Sequence, residues 1–333
     1  MEKAALACFN VIAERFKKGT HFSVFCGQGN NGGDGLAIAR LLHEADNPVK
    51  VYIVKTKEKG SIDFEANRKR LPIPVIEIKS IEDLELTHQT VIIDALVGSG
   101  LNRPLRGFMA DVVSNLNAME SIRISIDINT GLFAEDNEEN DLNLVFKSDI
   151  TIALDHPKLA LCKHTTAFVC EELSVVDIGL DRAAKGNLDS SYYFVEEQDI
   201  RQIYRPRKNH TYKNRNGHAL VIAGSDDKPG AAVMASIGAL RSGVGLLSVK
   251  SVGEVKQALL AHYPEVMFES EPDISAFDGV GIGPGLGTDK KVQSELSKIL
   301  DDIDKPLVID ADALNIIAQN KWFAKIPEGS ILT

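Results

Sequence analysis

No run in this sequence is apolar for long enough to cross a bilayer as a helix, and cations are in deficit: 37 Lys and Arg face 47 Asp and Glu, a formal charge of −10. The first absence argues against a membrane partner. The second disfavours loose attachment to nucleic acid or anionic lipid, so any phosphate-bearing ligand needs a local device to hold it. Cysteine is sparse too. Cys8, Cys26, Cys162 and Cys170 lack the paired short spacings of a zinc site and follow nothing that reads as a secretory leader. That predicts reduced thiols in a soluble, cytoplasmic protein, with Cys26 facing a core from a buried strand. Aromatics make up only 6%, yet 44% of residues are apolar and 25% charged, an ordinary globular balance. A length of 333 residues predicts two domains, each able to bury a core.

The order of segments carries the fold class. After an opening helical stretch, Met1 to Phe16, short β-rich runs alternate with helical patterns: Phe22 to Cys26, Val49 to Val54, Val91 to Ile93, Ile122 to Ile126 and Asp149 to Leu154. These runs are continuously apolar, as strands buried on both faces are, and predict an α/β fold with a parallel sheet covered by helices on both sides. Ile81 to His88 and Phe133 to Asn143 are acidic and turn-like, and are expected at the surface. The basic, aliphatic-poor stretch RQIYRPRKNHTYKNRNGH breaks the rhythm. It places a link within Gln198 to Asn216, between a first domain of residues 1–197 and a second of residues 217–333. The rhythm then restarts: His218 to Ala223, Leu246 to Lys250, Val280 to Ile282 and Leu307 to Ile309 read as strands, and Ala231 to Leu240 as a helix. The glycine motifs of the two halves differ in order and context, and no internal repeat is seen.

Between the first strand and the first long helix lies VFCGQGNNGGDGLAIARLL, Val24 to Leu42. Gly27-Gln-Gly29-Asn-Asn-Gly32 fits the dinucleotide pattern G-x-G-x-x-G in its expected setting. That pattern also calls for an acid about 20 residues on, at the end of the second strand, to hold a ribose. Here the second strand ends in Lys55, which disfavours an ordinary NAD-dependent dehydrogenase. A plain turn rarely needs so many glycines, amides and acids, so a ligand site is expected: glycines with positive φ, helix N–H groups that favour an anion, and Asn30 and Asn31 tolerating left-handed geometry. Asp34 either offsets the helix dipole in the first turn or holds a hydroxyl or ring of the ligand. Asp94 and Asp127 each end a strand, where ligands bind in such sheets, and should converge on this loop; the alternative is that each caps a following turn.

GNNGGDG after a strand, followed in order by IIDALVGSGLNRPLRG (Ile92 to Gly107), SIDINTGL (Ser125 to Leu132) and VVDIGL (Val175 to Leu180), resembles the YjeF N-terminal family over Met1 to Leu180. The resemblance implies a Rossmann-like, doubly wound domain that epimerises damaged nicotinamide cofactors, the hydrates of NADH and NADPH bearing a hydroxyl at C6 of the reduced ring. It places substrate contacts at Asn30, Asn31, Gly32, Gly33 and Asp34, at Gly98, Ser99, Gly100, Leu101, Asn102, Arg103 and Pro104, and at Asp127, which would also be the catalytic acid/base. It further implies a potassium ion (K+) held by Asn31, Asp94 and Thr130, whose hard oxygens suit such a cation. Arg103 and Arg106 lie in or beside the second loop, where they would meet the diphosphate or simply face solvent. The family usually reads Asp-Ile-Pro-Ser-Gly where this chain has Asp127-Ile128-Asn129-Thr130-Gly131. Thr130 keeps the hydroxyl, whereas Asn129 in place of proline is expected to free the backbone.

GHALVIAGSDDKPGAAVMASIGALRSGVGLLSV (Gly217 to Val249), GVGIGPGLGTD (Gly279 to Asp289) and PLVIDADALNII (Pro306 to Ile317) resemble the YjeF C-terminal family. That implies a ribokinase-like α/β domain and an ADP- or ATP-dependent dehydratase of the same hydrates, with Mg2+ admitted beside the nucleotide. Phosphorylating the C6 hydroxyl would turn it into a good leaving group. Ala231, Gly285 and Gly287 are the expected ligand contacts. Asp310 and Asp312 belong to a site at a strand end or cap the next helix, and His210 and Lys213 precede the first strand of this half on what reads as a solvated linker. Met1-Glu-Lys-Ala-Ala resembles an internal helix of the family, and Ile331-Leu-Thr333 falls where the family continues into Thr-Pro-His and Gly-Thr-Gly-Asp elements. The expectation is a fragment of a longer bifunctional metabolite-repair enzyme, homo-oligomeric, with an incomplete ribokinase-like domain that lacks dehydratase activity by itself. Two other classes are weighed: a non-catalytic YjeF-type binding or scaffold protein, against which Asn31, Asp94 and Asp127 argue together, and a small-molecule kinase, against which the missing glycine-rich element argues.

Overall fold

The computed structural model, which describes all residues except 57, 85–89, 182–184, 186–189 and 208, forms two sheets, one in each of the units Met1–Glu197 and Gln198–Thr333. In the first unit the apolar runs become β1 (Phe22–Cys26), β2 (Val49–Val54), β3 (Val75–Ile78), β4 (Val91–Ala95), β5 (Arg123–Ile126), β6 (Ser148–Leu154) and β7 (Cys170–Val176). They pair in the order β3-β2-β1-β4-β5-β6-β7, every pair parallel. Successive side chains leave a strand on opposite faces, and both faces are covered. Phe22, Val24 and Cys26 pack with Cys8 and Ile12 of α1 (Glu2–Arg15) and Leu36 and Ile38 of α2 (Asn30–Glu44). Phe25 turns the other way, stacking on Tyr52 with ring centroids 4.7 Å apart and joining Val112, Val113 and Leu116 of the helix Phe108–Asn117. Two cores sharing one sheet bury both faces of the central strands, which is why these runs are mostly apolar.

One surface expectation needs correcting. Phe133 to Asn143 is a loop, but Asn137 within it is buried, its amide bonding the Phe133 N–H at 2.9 Å and the Phe133 carbonyl at 3.0 Å.

The second unit contains β8 (His218–Ile222), β9 (Leu246–Lys250), β10 (Met267–Phe268), β11 (Gly279–Ile282), β12 (Val308–Ile309) and β13 (Ile331–Leu332), parallel throughout, in the order β10-β9-β8-β11-β12-β13. Both sheets follow one path although the sequence carries no legible repeat: outward from the first strand, then back to its other side. The strand order therefore reverses between β1 and β4 and again between β8 and β11, and a crevice opens beyond the carboxyl ends of each pair. No helix among the described residues is long and apolar enough to cross a membrane. All four cysteines are free thiols, with Cys8 and Cys26 buried.

Candidate active site

The glycine segment lies in the crevice between β1 and β4. Gly27 N–H donates to the Ala95 carbonyl at 3.0 Å, and a Cβ on Gly27 would stand 1.9 Å from the Leu96 carbonyl oxygen. On Gly32 it would stand 1.7 Å from the Gly27 oxygen. Close approach is what these positions demand. The expected left-handed geometry is absent: Gly27, Gly29, Gly32 and Gly33 all avoid positive φ, and Asn30 and Asn31 open the right-handed helix α2 behind the N-cap Gly29. Bringing α2 this close to β4 aims its unpaired N–H groups into the crevice.

Asn31 is only 8% exposed, and neither its amide oxygen nor its NH2 has a protein partner. A buried polar group left so costs about 1–3 kcal/mol, which both atoms can recover by binding a ligand. A Cβ on Gly98 would lie 3.2 Å from the Asn31 Cβ and 3.8 Å from Asp127 Oδ2. The bareness of Gly98 thus leaves open the space between an amide and a carboxylate. Asp127 follows β5 with φ 71, fixed by its N–H donating to the Ile152 carbonyl at 2.8 Å; Asp and Asn tolerate that backbone far better than bulky or β-branched residues. Its Oδ1 accepts a hydrogen bond from the Lys158 ammonium, in the loop after β6.

Asp94 is fully buried. Its carboxylate accepts from Thr130 Oγ1 (2.6 Å), Ser125 Oγ (2.7 Å), Thr130 N–H (2.9 Å) and Leu96 N–H (3.1 Å). Burial pushes its carboxyl up, and these donors pull it partly back. Thr130 Oγ1 in turn accepts from Val97 N–H at 2.9 Å, tying the exit of β4 to the turn after β5. Asn129 does not free that turn, contrary to expectation. It is fully buried; its NH2 lies 2.9 Å from the Phe146 carbonyl, Ser148 Oγ and the Val169 carbonyl, and its oxygen accepts from Thr151 Oγ1 at 2.7 Å. Side-chain hydrogen bonds restrain the backbone where a ring would have done so.

Asp34 stands past the first turn of α2, which holds no acid, so the dipole role does not apply to it. It is 8% exposed with Oδ1 unpartnered. Burial, opposed by the Met1 ammonium and reinforced by Asp127 and Asp63, pushes its carboxyl up to about 7. Of the other expected contacts, Asn30 is exposed and Gly33 lies under the Met1 side chain. Ser99, Gly100, Asn102 and Arg103 are exposed, and Leu101 and Pro104 half-buried; Gly98 is the glycine of this loop that stands against Asn31 and Asp127.

The residues proposed for potassium fit it in part. Asn31 Oδ1 is unengaged, and the Thr130 hydroxyl keeps a lone pair. Both Asp94 oxygens already accept two donors each, so this carboxylate would act as a charge behind Thr130 and not as a direct ligand. Among the described residues no group of three or more His, Cys, Asp or Glu could hold a metal.

In the second unit Gly224 N–H donates to the Pro284 carbonyl at 2.8 Å across the β8–β11 crevice. A Cβ on Gly285 would stand 2.7 Å from the Ala231 Cβ and 2.9 Å from the Lys228 carbonyl oxygen, so Ala231 and Gly285 meet at the start of the helix Pro229–Ser242. Gly287 N–H and the Lys228 ammonium both donate to Asp312 Oδ2, at 2.9 and 3.0 Å. Against the lift from burial, Lys228 and Gly287 hold the Asp312 carboxyl below its ordinary value. Asp312 thus ties the first turn of its own helix to the segments carrying Lys228 and Gly287. Asp310 occupies the N-cap of the helix Ala311–Asn320 but makes no side-chain cap bond, and His210 and Lys213 are exposed.

Residues 1–160 match the family model described as YjeF-related protein N-terminus, and residues 219–333 match that of NAD(P)H-hydrate dehydratase. Each half of the chain thus matches one of these two families. Among curated relatives, the bifunctional NAD(P)H-hydrate repair enzyme Nnr of Thermofilum pendens is 31% identical over 89% of this chain and 60% of its own length. Its counterpart in Coxiella burnetii is 30% identical over 96% of this chain and 66% of its own. The chain spans less than two thirds of either relative. Among solved structures, the ADP/ATP-dependent NAD(P)H-hydrate dehydratase of Bacillus subtilis, co-crystallized with ATP/Mg2+, is 32% identical over 36% of this chain and 46% of that one, with a TM-score of 0.33. A yeast protein is 22% identical over 59% of this chain and 86% of its own, with a TM-score of 0.47. These loose superpositions add nothing to the family assignment. In this YjeF-type first unit, Lys158 and Asp155 escaped the reading of the sequence. Asp155 follows β6 as Asp127 follows β5, with φ 67 and an ion pair to Lys185. An aspartate directly after an apolar run was the available signal for Asp155; a single lysine carries none.

Proposed function

We propose that the first unit interconverts the C6 epimers of NADH and NADPH hydrates, and that the second is the nucleotide-using half of a dehydratase acting on the S hydrate. The observation that carries the first reading is the unpartnered Asn31 amide beside the Asp127 carboxylate, with the bare Gly98 between them. The relatives' names, NAD(P)H-hydrate repair enzymes, supply the substrate class.

The hydroxyl at C6 sits next to the ring nitrogen. Once its oxygen is protonated, the nitrogen lone pair expels it as water and leaves a planar iminium; water returning to the other face gives up one proton and completes the exchange. A single group that gives and takes a proton at that oxygen serves both directions. Asp127 is that group, and Lys158 orients its carboxylate. Asn31 and Asp34 hold the ring and hydroxyls, while the α2 N–H groups, with Arg103 and Arg106, favour the diphosphate. Asn31 and Thr130 would hold a potassium ion that adds positive charge beside this loop. In the second unit, Ala231, Gly285 and Gly287 would line the site of the hydrate and the Mg2+-nucleotide, and the nucleotide, when bound, would supply the phosphoryl group for the C6 oxygen.

The test starts from one purified epimer of NADH hydrate, followed by chromatography. The chain should bring it to an epimer mixture, and Asp127→Asn, which tolerates the same backbone, should leave it unchanged while melting normally. Interconversion by that variant at the original rate would refute the assignment.

A further inference from the structure

The basic stretch ahead of β8 does more than connect. Tyr204, Arg205, Arg207, His210, Arg215 and Arg241 line one hollow of about 740 Å3 within the second unit, a volume in the range of small-molecule sites. Among the described residues no carboxylate lines it, and none pairs with Arg205, Arg215 or Arg241. Four guanidiniums gathered without a counter-charge repel one another, and they do so in a chain of formal charge −10. The hollow is anchored: Gly245 N–H donates to the Asn216 and Gly217 carbonyls, both at 3.1 Å, and Leu246 N–H to the Gly217 carbonyl at 3.0 Å, fixing the segment to the start of β9. Arg207 caps the Gly243 carbonyl after the helix Pro229–Ser242, so part of its charge is already engaged. Arg215 is held with its guanidinium 5.2 Å over the Tyr212 ring and its Nε on the Tyr212 hydroxyl at 3.1 Å. Among the described residues Arg205 and Arg241 make no such contact.

Position separates this hollow from the crevice of the second unit. Asn216 and Gly243 stand before the amino ends of β8 and β9, whereas Gly224 and Gly283–Gly287 follow the carboxyl ends of β8 and β11. The two lie at opposite strand ends of one sheet.

We infer that the hollow lined by Arg205, Arg215 and Arg241 is a second binding site, for a small molecule carrying a chain of two or more phosphates. Planar guanidinium forks match phosphate oxygens in pairs, and several of them together favour a multiply charged ligand over a single carboxylate. The ring of Tyr204, 68% exposed, offers a face for a base if the phosphates belong to a nucleotide. Being remote from the crevice, the site would regulate and not react.

The test titrates the full chain with inorganic triphosphate by calorimetry at low salt and follows amide hydrogen exchange. Exchange should slow in peptides spanning residues 204–216 and 241–243. The double variant Arg205→Gln/Arg241→Gln changes exposed side chains only and should weaken binding roughly tenfold or more, while Arg241→Lys, which keeps the charge but loses the fork, should weaken it less. ATP binding more tightly than triphosphate at these peptides would mark the ligand as a nucleotide; equal binding would mark it as bare oligophosphate. AMP binding as tightly as triphosphate, unchanged affinity in the folded double variant, protection confined to residues 283–287, or no heat at millimolar triphosphate would each overturn the inference.

Discussion

Replacing Asp34 with asparagine isolates the energetic cost of keeping a carboxylate inside the crevice. The folded chain raises this carboxyl from 3.8 to about 7 because burial penalises the charged form. The folded state therefore keeps its proton over a range where the unfolded state has lost it, and stability must fall as pH rises through that range. Below about pH 4 both states are protonated and nothing is lost. Above about 7 the full penalty applies, at most about 4 kcal/mol at roughly 1.4 kcal/mol per unit. Residual access to water reduces it, and half is a fair expectation, about 2 kcal/mol. For a unit of this size each kcal/mol moves the midpoint by about 2–4 °C, so Asp34→Asn should melt roughly 4–8 °C above the parent at pH 8.5 and close to it at pH 4. Differential scanning calorimetry at pH 4, 6 and 8.5 reads this directly. A midpoint difference that stays constant with pH, or shrinks as pH rises, would refute the electrostatic account and leave only packing.

Gly98→Ala should separate site from scaffold: its Cβ would press on Asn31 at 3.2 Å, so melting should shift by no more than about 1 kcal/mol while KM for the hydrate rises severalfold in steady-state kinetics. Gly32→Ala should instead lose more than about 3 kcal/mol in urea unfolding, because its Cβ would collide with backbone at 1.7 Å. Lys158→Met removes the partner of Asp127 and should lower kcat by about tenfold or more with little change in KM, measured on one epimer. Asn129→Ala strands several buried groups and should cost on the order of 3 kcal/mol in the same urea assay.

The central strands were legible because burial on both faces forces a continuous apolar run, and β1, β2 and β9 match their predicted limits. The edges were not. Val75–Ile78 interrupts its run with Glu77, and Cys170–Val176 carries the exposed Glu171 and Glu172; a strand paired on one side has less need of an apolar signature. Glycine loops were legible as places where side chains do not fit, but composition cannot say whether the reason is handedness or crowding, and at Gly27 and Gly32 it is crowding. Asn129 was misjudged because its restraint comes from Phe146, Ser148, Thr151 and Val169, partners that only folding brings near. Lys158 reaches Asp127 for the same reason, across 31 positions of sequence. The arginine hollow was visible only as a basic stretch, since Arg241 joins it from a distant helix end.

The anchoring of Asn129 couples one wall of the first crevice to distant parts of the unit. The turn after β5 is pinned through that amide to the Phe146–Thr151 region and to Val169. Ser99 to Asn102, by contrast, are largely exposed. A substitution in the Phe146–Thr151 region or at Val169 would therefore reach the crevice through Asn129, without touching a residue that lines it.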